Sequence, residues 1–231
     1  MPEPLRFISS MATRGLLNDL AAAWQGLHPD RPVAVESVGG VDAARRVRAG
    51  EAFDGIVLAS NTIDALLAEG HARAGSGVDL VRSGIAVAVR AGAAVPDIGS
   101  EEALRRAVQS AATVGYSTGP SGVYLQALFE RWGLADDVAA RTVQAPPGVP
   151  VGRLLAEGQV GLGFQQLSEL LGLPGITVLG PLPAAVQHRT VFSGAVAQAS
   201  ARPDAARAVL AFWAGVQHDA LRQRHGMESA V

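Results

Sequence analysis

Three times before residue 70 the chain runs a short apolar stretch into a Ser- or Gly-rich break and straight on into a helical pattern, and this alternation restricts the fold more than any other feature. Residues 5–8 read as a buried strand, Ser9-Ser10 as the break, and 11–27 as a helix whose apolar face is Leu16, Leu17, Leu20 and Trp24. Residues 32–36 form the next strand, Ser37-Val38-Gly39-Gly40 the break, and 41–49 a helix carrying Arg45, Arg46 and Arg48. The third unit is a strand at 54–59 and a helix at 61–69 behind a Ser60 cap. Consecutive β-α units predict a largely parallel sheet whose ligand crevice lies at the carboxyl ends of its strands.

A fourth unit, 113–131, has the richest break. Ser117, Thr118, Gly119, Pro120, Ser121 and Gly122 stand between an apolar run and an amphipathic helix. Such an elbow leaves backbone N–H groups unpaired at the positive end of the helix dipole, a ready anion cradle as well as an ordinary helix start. Ser9 and Ser10, followed by Thr13 and Arg14, make a second elbow carrying only donors; Arg14 at a helix N-terminus suits an anion better than it suits the helix.

Two long strand-prone runs, 78–90 and 188–199, are each long enough to pass between lobes. Between them the pattern predicts a helix at 101–109, strands at 141–144, 160–164 and 176–180, a Pro/Gly corner at 145–150, and a helix at 151–157. A helix at 203–217 closes the first lobe, and the basic stretch 221–225 reads as a solvated helix end. The expected division is therefore 1–83 for the first part of lobe one, 84–189 for lobe two, and 190–231 for the return crossing and the last helices of lobe one.

Composition narrows the chemistry. With 231 residues, 48% hydrophobic and 17% charged, the chain can bury a sizeable core. Cysteine is absent, so neither disulfides nor thiolate metal sites are available, and the five His form no HxH or HExxH pattern. No metal and no cofactor is expected. A net charge of −2 predicts no nucleic-acid footprint. All 19 basic residues are Arg, which excludes lysine Schiff-base chemistry. No apolar run has the length of a membrane span, and no signal-like segment precedes the first strand, so the expectation is a cytoplasmic protein as the sequence stands, or a periplasmic one if a leader was removed.

Several pieces in order carry a resemblance: Phe7-Ile-Ser-Ser10 with its helix, Arg45 to Gly50 leading into Phe53 to Ser60, Pro120-Ser-Gly-Val-Tyr124, and Leu154 to Phe164. Together they resemble the molybdate-binding, ModA-like branch of the type II periplasmic binding proteins, to which aconitate isomerase is also similar. The resemblance covers about residues 4–217 and implies an α/β fold of two lobes, each a mostly parallel sheet flanked by helices, with a small anion held in the cleft and lobe closure on binding.

It also implies site residues. The first-lobe serines of the family correspond to Ser9 or Ser10. A second family serine falls at Gly39-Gly40, which leaves backbone donors only. Ser121 and Gly122 occupy the family's Pro-x-Gly-(Ile/Val)-Tyr motif, Gly148 takes a corner backbone contact, and the pocket tyrosine falls at Gln166, beside Gln165. Gln for Tyr and Gly for Ser open space around a tetrahedral oxyanion, while Arg14 and Arg45 offer forks for planar carboxylates, so the expected ligand is a molybdate-type oxyanion or, favoured by these changes, an organic di- or tricarboxylate. Two functions follow: a receptor for such an anion, working with an ABC transporter if exported, or an isomerase that moves a proton on an allylic carboxylate. For the second, Glu36, Tyr116, Tyr124, Glu169 and His188 are the candidate bases.

Overall fold

A computed structural model describes residues 2–230; Met1 and Val231, the outer ends of the expected first lobe, lie outside it. The chain forms two compact units, Met1–Ser83 with Val191–Val231, and Gly84–Thr190.

The first unit opens with β1 (Leu5–Ser10), a 3-10 turn at Met11–Thr13 and α1 (Arg14–Leu27), then β2 (Val33–Val38), α2 (Gly40–Arg48), β3 (Gly55–Ala59) and α3 (Ser60–Ala68). β1 lies between β2 and β3, parallel to both, with Ser9 opposite Ser37 on one side and Val57 on the other. Alternation along these strands feeds two cores, one on each face. Phe7 and Val57 join Leu16, Leu17, Leu20, Trp24 and Trp213 on one face. Ile8, Ile56 and Leu58 join Ala43, Val47, Phe53 and Leu66 on the other. A sheet apolar on both faces is what β-α crossovers require, because the helices cover both sides.

β4 (Val78–Arg90) begins in the first unit and ends in the second. The second unit continues with α4 (Glu101–Ser110), β5 (Val114–Tyr116), α5 (Pro120–Arg131), α6 (Ala135–Ala139), β6 (Thr142–Gln144), α7 (Val151–Ala156), β7 (Leu162–Gln166), α8 (Leu167–Leu170) and β8 (Ile176–Pro181). Here β5 is the centre of a parallel trio, with Tyr116 opposite Gln144 of β6 and Phe164 of β7. β4 runs antiparallel to β7, Ile85 facing Gln166, and to β8. Val87, Val114, Leu125, Phe129, Leu162 and Phe164 pack on one side of this sheet, and Ala86, Ala88, Val151, Leu155 and Leu170 on the other.

The chain returns through β9 (Arg189–Val196), which pairs antiparallel with β3, then α9 (Pro203–Ala214), α10 (Asp219–Arg224) and β10 (Met227–Ser229). Two expectations fail here. The basic stretch 221–225 does end a helix, with Gln223 and Arg224 exposed, but Arg222 is not solvated: it is completely buried, its guanidinium donating to the Trp213 carbonyl at 2.7 Å and pairing with Asp219 at 2.5 Å. The buried charge is met by these two local partners. The chain then forms β10, antiparallel to β4 with Met227 opposite Ser83, a strand of three residues too short to leave a period in the sequence. At the third elbow the helix N-cap is Ala59, with no side-chain cap, and Ser60 is already the first helical residue.

Candidate functional site

In the first unit the carboxyl edge of the parallel sheet gathers three elbows, at the ends of β1, β2 and β3. Ser9 and Ser37, register partners on neighbouring strands, place their hydroxyls 2.7 Å apart, so Ser9 is satisfied within the sheet. Ser10 differs. It is 8% exposed, its carbonyl accepts from the Thr13 hydroxyl at 3.2 Å, and its own Oγ is buried with no partner. Gly39 caps α2 without a side-chain bond, leaving first-turn amides unfilled, and a Cβ on Gly40 would stand 3.8 Å from the Ser10 Cβ. Gly40 thus packs beside the Ser10 side chain. Arg14, first residue of α1, is exposed, and its side chain has no hydrogen bond or ion pair among the described residues.

Two charged candidates on this unit are already engaged. Arg45 binds Asp42 on its own helix at 2.5 Å and stands in solvent, so its fork is occupied. Glu36 is gripped by Arg46, which also holds Glu51 at 2.6 Å. The hydrogen bond from Arg46 keeps the Glu36 carboxyl below its ordinary range, which makes it a poor proton acceptor at neutral pH.

In the second unit β5, β6 and β7 end together, so that the segments following Tyr116, Gln144 and Phe164 are neighbours at one edge. After β5 the Ser117 Oγ accepts from Gly119 N–H at 3.2 Å and lies 3.3 Å from the Ser121 Oγ. Gly119 caps α5 without a side-chain bond and Pro120 presets the first turn. After β6, Gly148 takes φ +79° in a turn closed by Val149 N–H to the Pro146 carbonyl at 3.0 Å, a conformation that needs glycine.

β7 ends in the Gln pair, and the two amides behave differently. The Gln165 Oε1 accepts from Val151 N–H at 2.7 Å and its Nε2 donates to the Glu169 Oε1 at 2.8 Å, so both ends are spent inside the protein. Gln166, 1% exposed, donates through Nε2 to the Thr190 Oγ1 at 2.8 Å, and its Oε1 is buried without a partner. Since a hydroxyl can donate or accept, the Gln166 amide can offer either its carbonyl or its N–H outward. Burial pushes the Glu169 carboxyl up to about 7, although the residue as a whole keeps some exposure.

The remaining candidates divide. Tyr116 is a core residue, 6% exposed, packed near Phe129, its hydroxyl accepting from the Gln126 Nε2 at 3.2 Å. Tyr124 donates to the Val186 carbonyl at 2.8 Å and stacks on His188, ring centroids 4.7 Å apart. Burial lowers the His188 pKa and keeps the imidazole neutral at pH 7. A separate groove of about 460 Å³, lined by Val89, Val95, Pro96, Asp97 and Arg106, reaches Gly161 and Leu162 at the opposite, amino-terminal end of β7. Sequence reasoning missed Ser37 and Thr190 as partners of Ser9 and Gln166, because both pairings depend on which strand lies beside which. The Gln165–Glu169 contact could have been read from its four-residue spacing.

The pattern that defines the bacterial extracellular solute-binding proteins matches residues 5–228. Aconitate isomerase from Pseudomonas sp is 38% identical over 216 residues, covering 91% of this chain and 82% of that protein. Among solved structures, the periplasmic molybdate-binding protein of Azotobacter vinelandii superposes with a TM-score of 0.80 at 18% identity, over 96% of this chain and 98% of the other. The sulfate-binding protein SubI of Mycobacterium tuberculosis H37Rv gives 0.78 at 15% identity, over 99% and 88%. The parallel β-α sheets of the two units, twice linked by strands that cross the unit boundary, are thus the type II periplasmic-binding-protein fold, and the chain belongs to the bacterial extracellular solute-binding proteins.

Proposed function

We propose that this solute-binding protein takes an organic di- or tricarboxylate of the aconitate class. One observation carries the reading: at the carboxyl edge of each unit's parallel sheet, beside helix starts without side-chain caps, stands one buried polar side chain with an unpartnered atom, Ser10 in the first unit and Gln166 in the second. Buried polar atoms are nearly always hydrogen-bonded, and an unpaired one implies a missing partner. Uncapped amides and an unpaired guanidinium at Arg14 favour an anion. Gly39-Gly40 and Gln166 supply fewer hydroxyls, and a more adaptable amide, than a compact tetrahedral oxyanion calls for. Ser121, Gly122 and Gly148 complete the proposed ligand set; Ser9 and Gln165 support it through Ser37 and through Val151. Titration calorimetry against molybdate, sulfate, citrate and both aconitates tests this. Tighter binding of a tricarboxylate than of molybdate is expected, and molybdate as the tightest ligand overturns it. If the protein is exported, an ABC importer is the partner this reading implies.

A second reading, turnover of an unsaturated tricarboxylate, is favoured by the relative named above, an aconitate isomerase. The ultraviolet absorbance of trans-aconitate, followed with purified protein, separates receptor from enzyme.

A further inference from the structure

Glu169 is the half-buried acid that the binding set leaves unexplained. It follows the Gln pair at the carboxyl edge of β7, on α8. Among the described residues it has no cationic partner. α8 packs on β7, β8 and α7. Neither strand carries an ionisable side chain, and Arg153 of α7 is tied to Glu157 at 2.7 Å. Its hydrogen bond comes instead from Gln165, and the direction of that bond is fixed. Val151 N–H needs an acceptor, which the Gln165 Oε1 supplies, so Nε2 must point to the Glu169 Oε1. A backbone amide therefore orients a side-chain amide, which orients a carboxyl, and the proton of that carboxyl is left to Oε2.

We propose that Glu169 is the proton-transfer residue of the isomerase reading, with Gln165 as its positioning residue. Oε2 removes a proton from the ligand's methylene carbon, which lies between a carboxylate and the double bond, and the C–H electron pair spreads into the adjoining carboxylate and alkene as a dienolate. Oε2 then returns the proton to the former vinyl carbon. One C–H bond breaks, another forms, the double bond moves by one position, and the composition is unchanged, so no co-reactant is needed. Donors at the helix starts stabilise the charge that develops on the carboxylates. A carboxyl lifted to about 7 by desolvation suits a single group that must both take and give a proton near neutral pH. The assignment rests on the isomerase reading.

The test uses the full chain and trans-aconitate in D2O. Wild type is expected to interconvert the isomers by absorbance, with deuterium entering the ligand's carbon positions by NMR to the extent that the Glu169 carboxyl exchanges its proton with solvent before returning it. Glu169→Gln, which is isosteric and can still accept from Gln165, is expected to bind trans-aconitate with unchanged affinity and to lose exchange and turnover by about 10²-fold or more. Gln165→Leu removes a bond that favours the ionised carboxyl, so the pH at which its rate rises is expected to move upward. Wild type that binds trans-aconitate but neither interconverts the isomers nor exchanges deuterium overturns the enzyme reading and the assignment together. Glu169→Gln exchanging at the wild-type rate, or Gln165→Leu with an unmoved profile, overturns the assignment and leaves the enzyme reading standing.

Discussion

Gly122 lies directly against the carbonyl oxygen of Ser117: a Cβ built on Gly122 would stand 1.8 Å from it. The elbow between β5 and α5 folds back on itself so tightly that only a hydrogen fits, and the obstructing atom is backbone, which cannot rotate away. Gly122→Ala is therefore expected to displace the Ser117–Ser121 turn, at a cost of about 1 to 3 kcal/mol in stability. Anion affinity is expected to fall further than stability does. Chemical denaturation and titration calorimetry on the same preparation check both.

Ser10 invites the opposite outcome. Its hydroxyl is buried and unpartnered in the free protein, so its removal costs folding no hydrogen bond. Ser10→Ala is expected to leave the melting temperature unchanged or slightly raised while weakening tricarboxylate binding by about 1 kcal/mol. Ser9→Ala, which strips the bond to Ser37, should show the reverse emphasis, with stability falling more than affinity.

The β-α succession was legible because its two periods are long-lived in the sequence, and the elbows at Ser9-Ser10 and at 117–122 were legible because Ser, Gly and Pro stand where strand meets helix. What stayed hidden depends on neighbours distant in sequence. Glu36 reads as a free acid at a strand end until α2 brings Arg46 over it. Tyr116 reads as an elbow donor until its ring is found near Phe129. Glu169 sits on a helix of four residues, too short for any periodicity to disclose which side is buried. Arg222 looks solvated from composition because nothing in a basic run signals that the Trp213 carbonyl awaits a donor.

Arg14 is expected to act at a distance. Exposed and unpaired, it adds positive potential at the start of α1 without holding the fold together. Arg14→Ala should leave unfolding unaltered and weaken tricarboxylate binding, with a loss that is larger at low ionic strength and shrinks as salt screens the charge. Stopped-flow association rates at two salt concentrations measure it, and a salt-independent effect would contradict this role.

Glu169 should leave its mark on stability as well as on chemistry. Its carboxyl ionises near 4.5 when unfolded and about 7 when folded, so between these values the native chain holds the proton more tightly than the unfolded chain does. Stability linked to this group is fully present below pH 4.5 and is lost as pH rises through 7. The difference amounts to about 3 kcal/mol at the alkaline end, by the usual 1.36 kcal/mol per pKa unit. Glu169→Gln removes the ionisation and preserves the shape, so the variant should be more stable than wild type at pH 8, with the advantage fading toward pH 5. Urea unfolding at the two pH values measures that difference of differences. A variant equally stabilised or equally destabilised at both would mean that the carboxyl is hydrated in the folded chain, and that its surroundings do not hold the proton there.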